Sequence, residues 1–380
     1  MPRPRAGLTV PTYFNMFREN QSARITANGA IRRTKLVARR LTLAVPDLVC
    51  ASVLDQLRAE SPSRISRVDF DGGGKPVEVA AAEEVLYVPA LHLQVWHDRI
   101  VPSEANSDDD AFPELQGASR AGEVMAHALF ANVQQCDEDV CVLSNLYSHN
   151  FYHFIEELYK VVILEHSGFI GNYVFSTFPS RISQELPKFS IEFLDLVGIK
   201  RDRILHLGRP TVLRSAWFTT RISHADTLAY PDVFFALRQA LLGAIDGPGL
   251  GPRLWLERRQ DRILVNAPEV HERLSRHGFT IVDMAELPVA RQIAAAREAD
   301  VLGGPHGAAM VHCMFQKVRS TVIECFSPEY LNPSVLEISR ILEHLYIQLV
   351  QTAGPGFEYP YGGNVEINMT HLKLVLEKLD

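Results

Sequence analysis

The chain has 380 residues, 47% of them hydrophobic and 22% charged, with 45 acidic against 38 basic side chains and a net charge of −7. That composition supplies cores for two or three domains and excludes wholesale disorder, collagen and coiled coil. The acidic balance excludes a globally basic nucleic-acid binder.

Residues 1–40 carry nine basic side chains against one acid, Glu19. They read either as a patch for an anionic membrane surface or polymer, or as a solvated arm on an acidic domain. The start of the chain lacks the apolar core of a secretory signal, and no run of about 18 apolar residues marks a membrane span. Five scattered cysteines (Cys50, Cys136, Cys141, Cys313, Cys325) form no disulfide framework and suit a reducing compartment. The expected location is therefore the cytoplasm.

Short strands are expected at Leu41–Val45, Glu84–Tyr87 and Leu91–Val95, with a loop at Gly72-Gly73-Gly74. Residues 102–119, including Asp108-Asp109-Asp110, are a polar surface excursion. From about residue 139 strands and helices alternate. A strand at 140–143 precedes a helix over His149–His166, whose apolar face holds Phe151, Phe154, Ile155, Leu158, Val161 and Val162. Tyr173–Ser176 is a strand, Ser190–Val197 a helix, Ile204–Leu207 and Ala216–Thr219 strands, and a helix runs from about Pro231 to Leu242. Residues 243–253 mix glycine and proline and read as an interdomain linker.

The last third alternates more regularly. Strands are expected at Leu254–Leu256, Thr280–Val282, Val301-Leu302, Thr321–Glu324 and Tyr346–Val350. Helices are expected at Pro268–His277, Val289–Arg297, Gly307–Phe315 and Ser334–Leu345. Such alternation predicts a parallel sheet covered on both faces. The expected fold class is α/β, with two Rossmann-like domains facing a cleft and ligands beyond the carboxyl ends of the strands.

Two segments carry the chemistry. In Gly303-Gly304-Pro305-His306-Gly307-Ala308 a strand ends in glycines, turns, and opens a helix of small residues. Glycines permit close backbone approach, and first-turn N–H groups favour an anion. His306 adds a hydrogen bond or a charge. Upstream, Arg258, Arg259 and Arg262 follow a strand, and guanidinium forks suit phosphate oxygens. Topology points both segments at one cleft.

Taken in order, Arg258-Arg259, Arg262, Asn266, Glu269, Gly278-Phe279, Gln292, Ala299-Asp300, Gly303 to Ala308, Phe315 and Glu324 resemble the C-terminal signature of family 61 glycosyltransferases. The resemblance spans about residues 253–326. Asn150-Phe151-Tyr152-His153-Phe154-Ile155-Glu156-Glu157 is similar to that family's aromatic-aromatic-His helix. After His306-Gly307-Ala308 the chain reads Ala309-Met310-Val311-His312, where the family often has Gly-Leu-Thr-Asn.

The resemblance implies a GT-B-like enzyme that transfers a sugar from a nucleotide donor, UDP-linked in known members, with inversion. Bacterial relatives serve capsular or other surface polysaccharide synthesis. It implies an acceptor-side domain over 1–242, a linker over 243–253, and a donor-binding domain over 254–360. The segment 361–380 is expected to be a helix packing back on the N-terminal domain. Donor contacts are assigned to Arg258, Arg259, Arg262, Asn266, Gly304, Pro305, His306, Gly307, Ala308 and Glu324, the last for ribose hydroxyls.

Inversion needs a base for the acceptor hydroxyl. His153 and Glu157, at i and i+4, share a helix face; His153 is assigned as base or acceptor anchor, with Glu157 orienting it. No metal is expected, although His149, His153 and Glu157 form a three-ligand alternative. The partners expected are the nucleotide sugar and a glycan or lipid-linked acceptor. Contact with the membrane or a polysaccharide assembly complex is also expected, and none with nucleic acid. Two other functions stay open: a nicotinamide-dependent oxidoreductase, whose G-x-G-x-x-G spacing is missing, and a non-catalytic scaffold of the same fold.

Overall fold

Apolar runs of four to six residues in this chain pair into two main sheets, each flanked by helices. The computed structural model describes residues 53–70, 74–89, 93–96, 99–101, 133–143, 150–175, 186–259, 262–327, 331–350, 352–353 and 363–379. The basic arm, Leu41–Val45, Cys50, Gly72-Gly73, Asp108-Asp109-Asp110 and His149 lie outside these residues.

The first half comprises α1 (Val53–Glu60), β1 (Ile65–Val68), β2 (Val77–Ala82), β3 (Val85–Val88), β4 (Leu93–Trp96), β5 (Arg99–Val101) and β6 (Gln134–Leu143). It continues through α2 (Phe151–His166), β7 (Asn172–Phe175), α3 (Lys188–Leu196), β8 (Ile204–Leu205), β9 (Thr211–Thr219) and α4 (Pro231–Gly243). The sheet path is β5-β4-β3-β9-β6-β7-β8, with β2 pairing both β1 and β9. Only β9, β6, β7 and β8 are parallel neighbours; β1 to β5 join antiparallel. The early strands therefore extend the same sheet. Strand β6 is longer than the expected 140–143, because residues 134–139 are mostly exposed and polar and carry no apolar signal.

The second half comprises β10 (Arg253–Leu256), α5 (Ala267–Arg276), β11 (Thr280–Val282), α6 (Val289–Glu298), β12 (Val301–Pro305), a 3-10 helix (Ala308–Phe315) and β13 (Thr321–Phe326). It ends with α7 (Ser334–Ile341), β14 (Leu345–Val350), the short pair β15 (Thr352–Ala353) and β16 (Val365–Glu366), and α8 (Met369–Leu379). Five strands in the order β11-β10-β12-β13-β14 are all parallel, as the alternation predicts. From β10 the chain winds one way to β11, and from β12 the other way to β13 and β14. The switch point lies between β10 and β12, where an open α/β sheet leaves a crevice at its carboxyl edge.

Two local expectations change. Strand β12 runs through both glycines to Pro305, which pairs with Cys325. The helix after it is 3-10 rather than α. Gly303 is required by packing, since a Cβ there would sit 3.0 Å from the ring of Trp255, a fully buried core residue.

One apolar cluster runs from Phe154, Leu158, Phe193 and Leu237 of the first half to Ile293, Met310, Phe315 and Ile338 of the second. Helices α2, α3 and α4 thus pack against α6 and the 3-10 helix, while α7 packs against that 3-10 helix and the turn at His224–Asp226. Side chains reinforce this contact. Glu192 on α3 accepts from the Val289 N–H at the start of α6 (2.6 Å). Arg238 on α4 donates to the carbonyls of Met314 (2.7 Å) and Gln316 (2.6 Å), at the end of the 3-10 helix.

The Gly/Pro segment between the sheets is pinned to α6. Arg291 donates to Pro248 O and Arg297 to Ile245 O and Gly247 O. Helix α8 packs beneath the second sheet, with Leu372, Val375 and Leu376 against Trp255, Val270 and Ile323. Arg253 donates to Leu379 O (3.0 Å). This corrects the expectation that the last helix returns to the N-terminal half, because its apolar stripe is covered by the second sheet's own face. Among the described residues no helix is long and apolar enough to cross a membrane.

Arg238→Ala leaves two carbonyls at a buried seam without their charged donor. It is expected to lower the unfolding free energy by about 2 kcal/mol, read as a lower urea midpoint.

Candidate functional site

At the switch point the ends of β10 and β12 lie side by side. Leu256 closes β10, and Glu257 and Arg258 continue past the sheet edge. Pro305 closes β12, and His306 and Gly307 form the turn into the 3-10 helix. A Cβ built on Gly307 would overlap Arg258 Nη1. The guanidinium therefore occupies the space beside the bare Cα, its Nη1 end nearest. Gly307 has φ 163°, extended backbone open to any residue, so space rather than conformation demands glycine here. Gly304 is demanded in the same way, since its Cβ would stand 2.7 Å from Leu256 O. Past the turn, the first 3-10 bond is Met310 N–H to Gly307 O (2.9 Å), so the N–H groups of Ala308 and Ala309 precede the helix's internal bonding.

His306 is held on three sides. Its backbone N–H donates to Cys325 O (2.8 Å). Its ring stacks on Phe326, with centroids 4.7 Å apart and planes at 19°. Nδ1 lies 2.6 Å from Glu324 Oε1. Glu324 has 0% exposure, and its other oxygen accepts from Tyr346 Oη (2.7 Å). Burial first, and then the Glu324 carboxylate, push the Tyr346 phenol far above its ordinary range, so it remains a donor. Ser327, just beyond β13, has a buried Oγ with no hydrogen-bond partner among the described residues.

Several assigned residues do other work. Glu324 faces no solvent and both its oxygens are engaged, which corrects its assignment to ribose hydroxyls. Arg259 is 57% exposed and turned to acids: Glu257 (3.6 Å), Asp283 (3.5 Å) and Glu286. Its charge is met by these carboxylates, so it is not gathered at the turn with Arg258. Asn266 donates from Nδ2 to Ile367 O (2.8 Å) and accepts at Oδ1 from Ile367 N–H (3.0 Å). It ties the segment before α8 to the loop after β10, and this tether replaces its assigned donor contact. Arg262 holds a left-handed backbone at φ 52°, uncommon for a non-glycine residue.

The second cluster starts at α2. Asn150 caps the helix, accepting from Tyr152 N–H (3.0 Å). His153, 26% exposed at its side chain, lies 3.0 Å through Nδ1 from Glu156 Oε2. The other Glu156 oxygen accepts from His224 N–H (2.9 Å). Burial alone would raise the Glu156 carboxyl, but the His153 hydrogen bond and the His224 contacts outweigh it and hold the group below its ordinary range. Burial pushes the His224 imidazole down. The neutral ring donates from Nε2 to Tyr152 O (3.1 Å) and faces Tyr159 Oη through Nδ1 (3.3 Å).

Glu157 is not the acid that orients His153. It accepts from Lys160 at 2.6 Å, and both side chains are buried, at 2% and 6% exposure. The i+4 position turns into the core, and the i+3 position meets the histidine. Glu156, His224 and Tyr346 are the residues that sequence reasoning missed. Glu156 had a signal, since i+3 neighbours also share a helix face.

The first turn of α2 is anchored on the second sheet's carboxyl edge. Phe151 stacks on His312 of the 3-10 helix, centroids 4.6 Å apart, and Tyr152 Oη donates to Ser334 Oγ (2.6 Å) at the start of α7. His153 thus sits on a turn clamped to elements that leave β12 and β13. His312 is buried at this seam, and burial pushes it down to about 4.

Among the described residues no group of three or more His, Cys, Asp or Glu side chains could hold a metal ion. Trp255 and Phe315 are core residues. His271 is half-buried and lies 4.0 Å from Glu257.

The sequence model of the family described as Glycosyltransferase 61 matches residues 109–323, more than half of the chain. No curated protein matches it.

Gly307→Ala is expected to displace the Arg258 guanidinium from the turn, read in a crystal structure of the variant, with little change in unfolding midpoint. Glu157→Gln breaks a buried ion pair and is expected to cost about 3 kcal/mol of stability in urea denaturation. Glu156→Gln, which keeps an amide oxygen to accept from the His224 N–H, is expected to cost clearly less.

Proposed function

The chain belongs to the glycosyltransferase 61 family, and we propose that it moves a sugar from a nucleotide-sugar donor, UDP-linked, to a hydroxyl of a glycan or lipid-linked saccharide. The observation that carries this reading is the Arg258 guanidinium laid against Gly307, beside His306, at the sheet's switch point.

In the transfer, the acceptor oxygen bonds to the anomeric carbon as the bond from that carbon to the diphosphate oxygen breaks. The electron pair leaves on the phosphate. Attack from the opposite face inverts the centre. Charge growing on the diphosphate meets Arg258, His306 and the N–H groups of Ala308 and Ala309, donors fixed before the reaction begins. These groups do the work a divalent cation does elsewhere, so the reaction is read as metal-independent. The acceptor's proton passes to His153, and Glu156 orients the ring and balances the imidazolium that forms.

The reading gives residues 254–360 the donor side and 1–242 the acceptor side of a GT-B-like pair of Rossmann-like domains facing a cleft. A surface polysaccharide, built in the cytoplasm at the inner face of the membrane, is the product class that suits such an acceptor. Gly304 and Pro305 shape the turn. Arg262, in its left-handed conformation after β10, remains a candidate second guanidinium on the diphosphate.

Arg258→Ala is expected to weaken UDP binding ten- to hundredfold, about 1.5–3 kcal/mol, while the fold persists. His153→Ala is expected to lower transfer by about a hundredfold or more with UDP affinity retained. Unchanged UDP affinity in the first variant removes the arginine from the site, and near-normal turnover in the second places the base elsewhere.

A further inference from the structure

Glu324 is an unusual residue for its place. It lies in the middle of β13 between Ile323 and Cys325, all three with 0% exposure. A carboxylate taken out of water needs donors and an opposite charge to offset the loss of hydration. Its two donors come from different elements. His306 reaches it from the end of β12 at 2.6 Å, and Tyr346 from β14 at 2.7 Å. The sheet register explains the meeting. Gly304 on β12 and Gln348 on β14 pair with Glu324, and Tyr346 lies two residues before Gln348, on the same face of its strand. The apolar part of the ring is covered by Phe326. Plane, rotation and backbone of His306 are all set by β13 and its neighbour, so a loop residue takes its orientation from the sheet.

We propose that Glu324 and Tyr346 are positioning residues for His306 in the donor site, holding Nδ1–H on the Glu324 carboxylate so that the ring acts through Nε2 on the phosphate that leaves with the nucleotide. The inference rests on the reading that places the diphosphate at the turn after β12. In the complex the imidazole lies between Glu324 on one edge and the phosphate on the other, and bridges them through its two ring nitrogens. Tyr346 donates to the second carboxylate oxygen and keeps the carboxylate from turning away from the ring. Glu324 itself touches no ligand.

The test compares UDP with UMP by calorimetry, because only UDP has the leaving phosphate. Glu324→Gln is expected to weaken UDP about tenfold and UMP less than twofold. Tyr346→Phe, which removes one hydroxyl from a half-buried ring, is expected to weaken UDP about threefold with the same preference and to fold normally. In a His306→Ala background neither change is expected to reduce UDP affinity further by more than about twofold, since both act through the ring. Should Glu324→Gln fail to fold, Tyr346→Phe carries the same cycle.

Equal losses for UDP and UMP, or a full effect of either variant without the imidazole, would show a purely structural carboxylate and overturn the inference. Arg258→Ala is the control for the underlying reading. If the unaltered protein does not bind UDP, or binds it equally well after that change, the reading and the inference fall together. If Arg258→Ala weakens UDP and the Glu324 and Tyr346 variants do not, the inference alone falls.

Discussion

The Arg258 guanidinium reaches the backbone turn after β12 only because Gly307 has no side chain to exclude it. The backbone there is extended, so any residue could adopt it. The missing Cβ matters because it would overlap Arg258 Nη1. The contact joins two segments some fifty positions apart, and it depends on β10 and β12 being neighbours at the switch point of a parallel sheet. Gly304 acts one step earlier by letting β12 close on the Leu256 carbonyl. The order of the strands, the spacing of the glycines and the place of the cation form one constraint.

Two histidine–carboxylate pairs stand on either side of the seam between the halves, and they are built for different tasks. His153 and Glu156 are three residues apart on one helix, and the histidine keeps a quarter of its side chain exposed. Such a ring is open to solvent on one side. His306 comes from the turn after β12 and Glu324 from the adjacent strand β13, with the carboxylate fully enclosed. Such a ring holds a fixed position. The seam is continuous and apolar, and it is laced by Tyr152 to Ser334 and by Arg238 to the end of the 3-10 helix. The two pairs are therefore held in one frame.

Much of this was legible in the residues. Alternating apolar runs in the last third are a direct consequence of a sheet buried on both faces, and they located all five parallel strands. Arg258 and the His306-Gly307 turn stood out because few structural needs place arginine and glycine at strand ends together. The rest was illegible for physical reasons. Strand β6 begins in exposed polar residues, and β9 pairs with β3 more than a hundred positions away. Glu156 and Glu157 are adjacent acids, and only the direction of the core decides that one meets His153 while the other is buried with Lys160. Glu324 looked like a ligand group because acids at strand ends often are, and its partners become visible only once β12, β13 and β14 are in register. Asn266 was misread because its partner, Ile367, lies about a hundred residues on.

The most direct measurement of the central claim is a crystal structure of the protein with UDP bound. The account predicts diphosphate oxygens within about 3 Å of the Arg258 guanidinium and of the Ala308 and Ala309 N–H groups. A nucleotide bound away from the β10–β12 edge, with Arg258 still lying undisturbed on Gly307, would contradict it.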